Sequence, residues 1–238
     1  MRGRMGIIAG SSMVSFLAIL VLGFLLGMRH ATDADHVIAV TTIVTRQRGV
    51  GKAGLIGVLW GLGHTFTIFI VGAAIILFKV EIPPRAGLTM ELAVGLMLIL
   101  LGALNLTGVL RWIQERYGAR TASEDLGSYH TWRPLAIGIV HGLAGSAAVA
   151  LLVMATISDP WWATAYLLIF GAGTIAGMML ITGAIAMSLA YASSKFAGWN
   201  RGMGIASGVL SVAFGLFLSY QIGFVDGLFT SHPNWTPR

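Results

Sequence analysis

Long apolar runs alternate with short polar joints along the whole chain, and this pattern fixes the expected architecture. Most runs are about 20 residues, the length an α-helix needs to cross ~30 Å of hydrocarbon. Seven spans are predicted, at roughly 6–27, 30–45, 53–78, 88–110, 134–157, 161–190 and 203–225. The second is short and carries Asp33 and Asp35, so hydropathy alone passes over it. The count falls to six if 6–45 is one span plus a re-entrant piece. The sixth run is long enough to tilt or to continue past the membrane. The fold class is therefore all-α, a polytopic integral membrane helix bundle forming a single domain over 1–238. Residues 111–133 make the one substantial hydrophilic joint, between a four-span half and a three-span half.

Composition reinforces the lipid bilayer as solvent. Hydrophobic residues are 56% of the chain and charged residues 10%, against about 25% charged in soluble domains. The 32 glycines suit helices whose backbones approach closely in lipid. A pI near 10.2 first suggests nucleic acid as partner, but the basic residues sit in the joints between apolar runs, where they orient a membrane protein. With the N-terminus in the cytoplasm, seven spans place 11 Lys and Arg inside and 4 outside. That split predicts a cell (inner) membrane protein with a cytoplasmic N-terminus, a cytoplasmic 111–133 joint and an external C-terminus. The first 27 residues resemble a signal peptide, yet the apolar stretch is too long for one and no small-residue cleavage site follows, so they read as a retained first span. The absence of cysteine excludes disulfides, thiolate metal sites and thiol redox chemistry.

One segment is chemically loaded. Arg29-His30-Ala31-Thr32-Asp33-Ala34-Asp35-His36 puts five ionisable residues into eight positions beside an apolar run. Ionisable groups at membrane depth are costly and mark functional sites. On a continuous helix, turning ~100° per residue, His30, Asp33 and His36 share a face and Asp35 projects about 100° away from His36. The α-carbons of His30 and His36 would stand about 9 Å apart along the axis, so two imidazoles meet one ion only by leaning together or if the helix start is unwound. Imidazole with carboxylate suits Ni, Co, Zn, Cu or Fe, whereas Mg²⁺ and Ca²⁺ prefer all-oxygen sites. The plainer reading is a polar helix cap, with Arg29 and Asp33 paired at i, i+4. It leaves Asp35 and His36 unexplained.

The stretch from Leu26-Gly27-Met28-Arg29-His30 to Asp35-His36 resembles the signature of the nickel/cobalt transporter family, His-x4-Asp-His preceded by Leu-Gly-x-Arg. Leu62-Gly63-His64-Thr65 resembles that family's second signature, again in the following span. The acidic third signature of the family's importers has no counterpart; by order the nearest segment is Ile137 to Ala144, which carries His141 and no acid. The short chain, without a His-rich loop, is similar to the compact urease-accessory-type branch. The resemblance implies a permease without enzymatic activity or resident cofactor, a divalent metal ion as transported ligand, Ni²⁺ or Co²⁺, and metal handling by His30, Asp35 and His36.

Two further histidines join the candidate set. His64 lies among Gly61, Gly63 and Thr65, and His141 among Gly138, Gly142 and Gly145. Glycine lets a second helix approach, so these rings are expected to face protein rather than lipid. A lone buried histidine is more often a packing residue, but beside a metal-like motif both become candidate ligands. The candidate metal residues are thus His30, Asp33, Asp35, His36, His64 and His141. His130 and His232, in polar segments, take no role. Spacings such as Gly57/Gly61, Gly173/Gly177 and Gly204/Gly208 predict helix packing.

Other classes fit less well. Histidines 36, 64 or 141 as axial haem ligands would sit beside two carboxylates, an odd setting for electron transfer. An intramembrane metallohydrolase lacks the His-Glu-x-x-His pattern. A retinal protein lacks a lysine in the last span. No nucleotide-binding loop is present, so transport would draw on gradients or a separate subunit.

Overall fold

A computed structural model describes residues 17–45, 49–78, 83–108, 126–142, 156–157, 159–195 and 199–235. Among these residues the regular structure is helical. Helix α1 spans Leu17–His30, and α2 Ala34–Val44. They are followed by α3 (Val50–Phe78), α4 (Pro84–Thr107) and α5 (Leu126–Gly142). Then come α6 (Pro160–Lys195) and α7 (Trp199–Tyr220), which ends in a π-helical turn over Gln221–Val225.

Four of these, α3, α4, α6 and the α7 segment, are long and apolar enough to cross a membrane, and the α1–α2 pair adds a fifth if counted as one span. At 1.5 Å per residue α6 is about 54 Å long, so it extends beyond the hydrocarbon at one end or both. The first part of the expected first span and residues 143–155 of the fifth lie outside the described residues. Helix α5 begins at Leu126, inside the stretch expected to be a loop. The expected second span, 30–45, is a helix of 11 residues, about 16 Å and only half the hydrocarbon thickness. It meets α1 at 54° across residues 31–33. Such a bend carries the chain onward rather than back, which favours the six-span count. With six spans both termini share a side, and with seven they lie on opposite sides.

Glycines decide which helices touch. On α1, Gly23 lies against the Tyr166 ring, and Gly27 against the Phe170 and Thr174 backbone of α6. Gly173 and Gly177 return the contact toward Phe24, Met28 and Ala31. Gly57 and Gly61 of α3 face Met178 and Ile175. Gly95 and Gly102 of α4 face Gly215 and Gly208 of α7. Gly204 departs from the expected pattern: among the described residues nothing from a neighbouring helix lies within 4 Å of where its side chain would be. Its carbonyl instead accepts the Asn105 amide at 2.9 Å. Helix α4 starts on Pro84 and stops at Gly108, whose φ of 68° is a left-handed conformation that glycine adopts without steric cost.

Between the helices the core is apolar, built from Ala39, Val40, Val44, Trp60, Leu98 and Met178 among others. The outer faces are apolar as well: Phe66, Leu100, Leu168, Val209 and Phe217 are each more than half exposed. Water would not tolerate so continuous an apolar belt, whereas lipid does. The chain is a multi-pass membrane protein.

Candidate metal centre

The break between α1 and α2 creates the site. The α1 helix closes with the Ala31 N–H donating to the Gly27 carbonyl at 3.2 Å. Two tight turns follow, Thr32 N–H to Arg29 and Asp33 N–H to His30. Asp33 stands at the N-cap of α2, but its side chain makes no cap bond. It reaches back and accepts a hydrogen bond from His30 Nδ1 at 2.8 Å. The unwound turn lets His30, on the last residue of α1, and His36, in the first turn of α2, point at the same spot. Their ring centroids are 4.8 Å apart.

Two more helices complete it. Gly63 of α3 lies against the Leu135 and Ile139 backbone of α5, and Gly138 of α5 against Trp60 of α3. A methyl group on Gly142 would sit 2.6 Å from the His64 carbonyl oxygen. This close crossing brings the His64 and His141 rings to 6.0 Å of one another. Thr67 adds a hydrogen bond across the same seam, to the Ile139 carbonyl at 3.0 Å.

The result is four buried imidazoles around one carboxylate. His36, His64 and His141 are fully inaccessible, and His30 nearly so. His30 Nε2 and His64 Nε2 are 2.9 Å apart. Asp35 Oδ2 accepts from His141 Nε2 at 2.9 Å, and Asp35 Oδ1 accepts from both the backbone N–H and Nδ1 of His36, at 2.9 and 3.2 Å. The His36 ring lies 4.2 Å from that of His141 and 5.0 Å from that of His64.

For neutral rings these contacts place the ring protons. A carboxylate only accepts, so His30 and His36 carry theirs on Nδ1 and His141 on Nε2. His30 Nε2 is then a lone pair, and His64 Nε2 carries the proton shared between those two. The remaining lone pairs fall on His36 Nε2, His64 Nδ1 and His141 Nδ1, and these are the three histidine nitrogens buried without a hydrogen-bond partner. Leaving such atoms unpaired costs about 1–3 kcal/mol each. Unpaired imidazole nitrogens of this kind are donors suited to a first-row divalent cation.

All six expected residues gather here, but not as a continuous helix would place them. Asp35, expected to project away, turns into the cluster because the first turn of α2 starts from a new direction. Asp33, expected on the shared face, sits at the rim behind His30, with its side chain 43% exposed. Trp60 and Phe170 are site neighbours that residue type alone did not mark. Trp60 is fully buried and its ring lies 5.4 Å from His141 and 6.1 Å from His36; Phe170 lies 5.7 Å from His30. Trp60 stands one helical turn before His64, a spacing that could have flagged it.

No family model and no solved structure matches the chain. Two proteins of known description do. The chain is 33% identical over 95 residues to the nickel transporter NixA of Staphylococcus aureus (strain NCTC 8325 / PS 47), a match covering 36% of this chain and 28% of that protein. It is 38% identical over 222 residues to the urease accessory protein UreH of Bacillus sp. (strain TB-90), covering 91% of this chain and 96% of that protein. Neither description is that of an enzyme. A match of that identity running end to end settles kinship, and it agrees with the resemblance read from His30, Asp35, His36 and His64: the chain belongs to the family of the urease accessory protein UreH, the compact branch of the nickel/cobalt transporters.

Proposed function

We propose that this protein carries Ni²⁺ or Co²⁺ across the cell membrane, with the ion held by His30, Asp35, His36, His64 and His141 and with Asp33 steadying His30. The observation that carries the reading is the convergence of four buried imidazoles and one carboxylate from α1, α2, α3 and α5 at a broken helix. Discontinuous helices form the substrate sites of many secondary transporters, where movement of one half-helix opens one side and closes the other. Ligands drawn from several helices meet that need, because a shift of α1 against α3 or α5 dismantles the site. The similarity to a protein described as a nickel transporter supports the choice of metal. A ring-against-ring cluster, with two nitrogens 2.9 Å apart, leaves no slab for a haem macrocycle and suits a single small ion.

The membrane potential favours inward movement of a divalent cation by about 4.6 kcal/mol per 100 mV, twice the ~2.3 of a single charge. Imidazoles must be neutral to ligate, so binding competes with protons and offers a route to proton coupling. The basic joints at 46–52, 111–133 and 195–201 belong in the cytoplasm and the C-terminus outside; the excess of Lys and Arg favours this for six spans as for seven. Uptake and efflux of ⁶³Ni in cells making the protein, with competing Co²⁺, Zn²⁺ and Mn²⁺, test the reading. We expect flux that Co²⁺ suppresses and Mn²⁺ does not. Flux equal to that of cells without the protein would reject it.

A further inference from the structure

Within the cluster the ligand atoms fall into two sets. His30, His36 and His64 offer atoms all within 4.8 Å of one another, and so do Asp35, His36 and His141. His36 belongs to both. Its Nδ1 faces Asp35 at 3.2 Å, while its Nε2 is buried with no partner. The His36 ring stands nearly perpendicular to those of His30 and His64, at 76° and 80°. Resting on the transporter reading above, we propose that the ion occupies two adjacent positions in turn, and that His36 hands it from one to the other.

The first position is an imidazole set: His30 Nε2, His64 and His36 Nε2. The second is a mixed set: Asp35, His141 and His36 Nδ1. A neutral imidazole carries one proton and one in-plane lone pair. His36 therefore serves only one position at a time. With the proton on Nδ1, donated to Asp35, its lone pair faces the first position. When the ion crosses, ion and proton change places on the ring: the metal–Nε2 and Nδ1–H bonds break, the metal–Nδ1 and Nε2–H bonds form, and a water entering with the ion relays the same proton, so neither the charge nor the proton count of the ring changes. One position at a time means one ion at a time. Each position also has one carboxylate: Asp35 directly in the second, and Asp33 behind His30 in the first at 2.8 Å. Outer carboxylates of this kind orient a ligating histidine and raise its basicity. The two positions draw on different helices. Apart from the shared His36, the first joins α1 to α3 and the second joins α2 to α5, so opening one need not open the other.

The test uses the full chain purified in detergent, titrated with Ni²⁺ alone by calorimetry, with X-ray absorption to read the ion's neighbours. Wild-type protein should bind one ion. The pair Asp35→Asn with His141→Gln should still bind one ion, about 10- to 100-fold more weakly, with nitrogen neighbours typical of imidazole. The pair His30→Gln with His64→Gln should also bind one ion, with carboxylate oxygen among its neighbours. Both pairs should fail to transport. His36→Gln should weaken binding more than either pair. The single changes Asp35→Asn and His64→Gln repeat the comparison with less disturbance of folding, and melting temperature shows that each variant is folded. Loss of binding in one folded pair to the level of His36→Gln would mean a single undivided site and overturn the hand-over. Two ions bound at once in wild-type protein would overturn it as well. A wild-type protein that binds no Ni²⁺ would instead remove the transporter reading, and this one with it.

Discussion

Asp33 and Asp35 are two residues apart, and the structure gives them different surroundings. Asp35 is mostly buried between His36 and His141, while Asp33 is 43% exposed and bonds His30 Nδ1 from behind. Replacing each by asparagine keeps the volume and removes the charge. Asp35→Asn should abolish nickel transport. Asp33→Asn should weaken nickel affinity by about 10- to 100-fold and leave measurable transport at saturating metal. Equal effects in a ⁶³Ni flux assay would contradict the assignment. That these six residues would come together was foreshadowed by residue type, spacing and the family resemblance. Their orientation was not, because a helical wheel assumes one axis, and here the axis changes between His30 and Ala34. His64 and His141 are comparably placed: one bonds His30, the other Asp35, and both are fully buried.

Among the elements, the α3–α5 crossing and the α1–α2 break shape the site. The crossing was foreshadowed by the glycines around His64 and His141, since close backbone approach needs a missing side chain. Gly142→Val should force α5 off the His64 carbonyl, costing roughly 1–3 kcal/mol as other overpacked contacts do. Thermal melting in detergent should register that loss, and transport should fall with it. Gly204→Ala is the control, since among the described residues nothing beyond its own helix backbone and chain neighbours lies within 4 Å of the added methyl; its melting temperature should match wild type. A Gly142 variant as stable and active as the Gly204 variant would show the crossing to be looser than described. The break was half legible. A run holding two aspartates is a poor continuous span, but whether it unwinds, tilts or turns back depends on what packs against it. Here α6 supplies the packing through Gly27 and Gly177.

At the scale of the molecule, the helix bundle and its solvent were legible from apolar run length, and the order of the long helices followed closely. The number of crossings was harder to read. Hydropathy counts apolar runs, whereas the 54° bend decides whether the first two make one crossing. The chain has no cysteine, so single cysteines report sidedness cleanly. A cysteine at Gly49 should label from the cytoplasm and one at Ser231 from outside. With α1 and α2 as one broken span, a cysteine at Gly3 should label from the same side as Ser231. Labelling of Gly49 and Ser231 from one side would contradict both span counts.

Whether the buried histidine–aspartate cluster is the path of the metal is read from ⁶³Ni flux into vesicles reconstituted with purified protein. Wild-type and His36→Ala chains should be incorporated in equal amounts and compared with an inside-negative potential applied. Nickel should enter under the applied potential with wild-type protein, and no faster than into protein-free vesicles with His36→Ala. Nickel entry at the wild-type rate through His36→Ala, or none through wild-type protein, would contradict a path through the cluster.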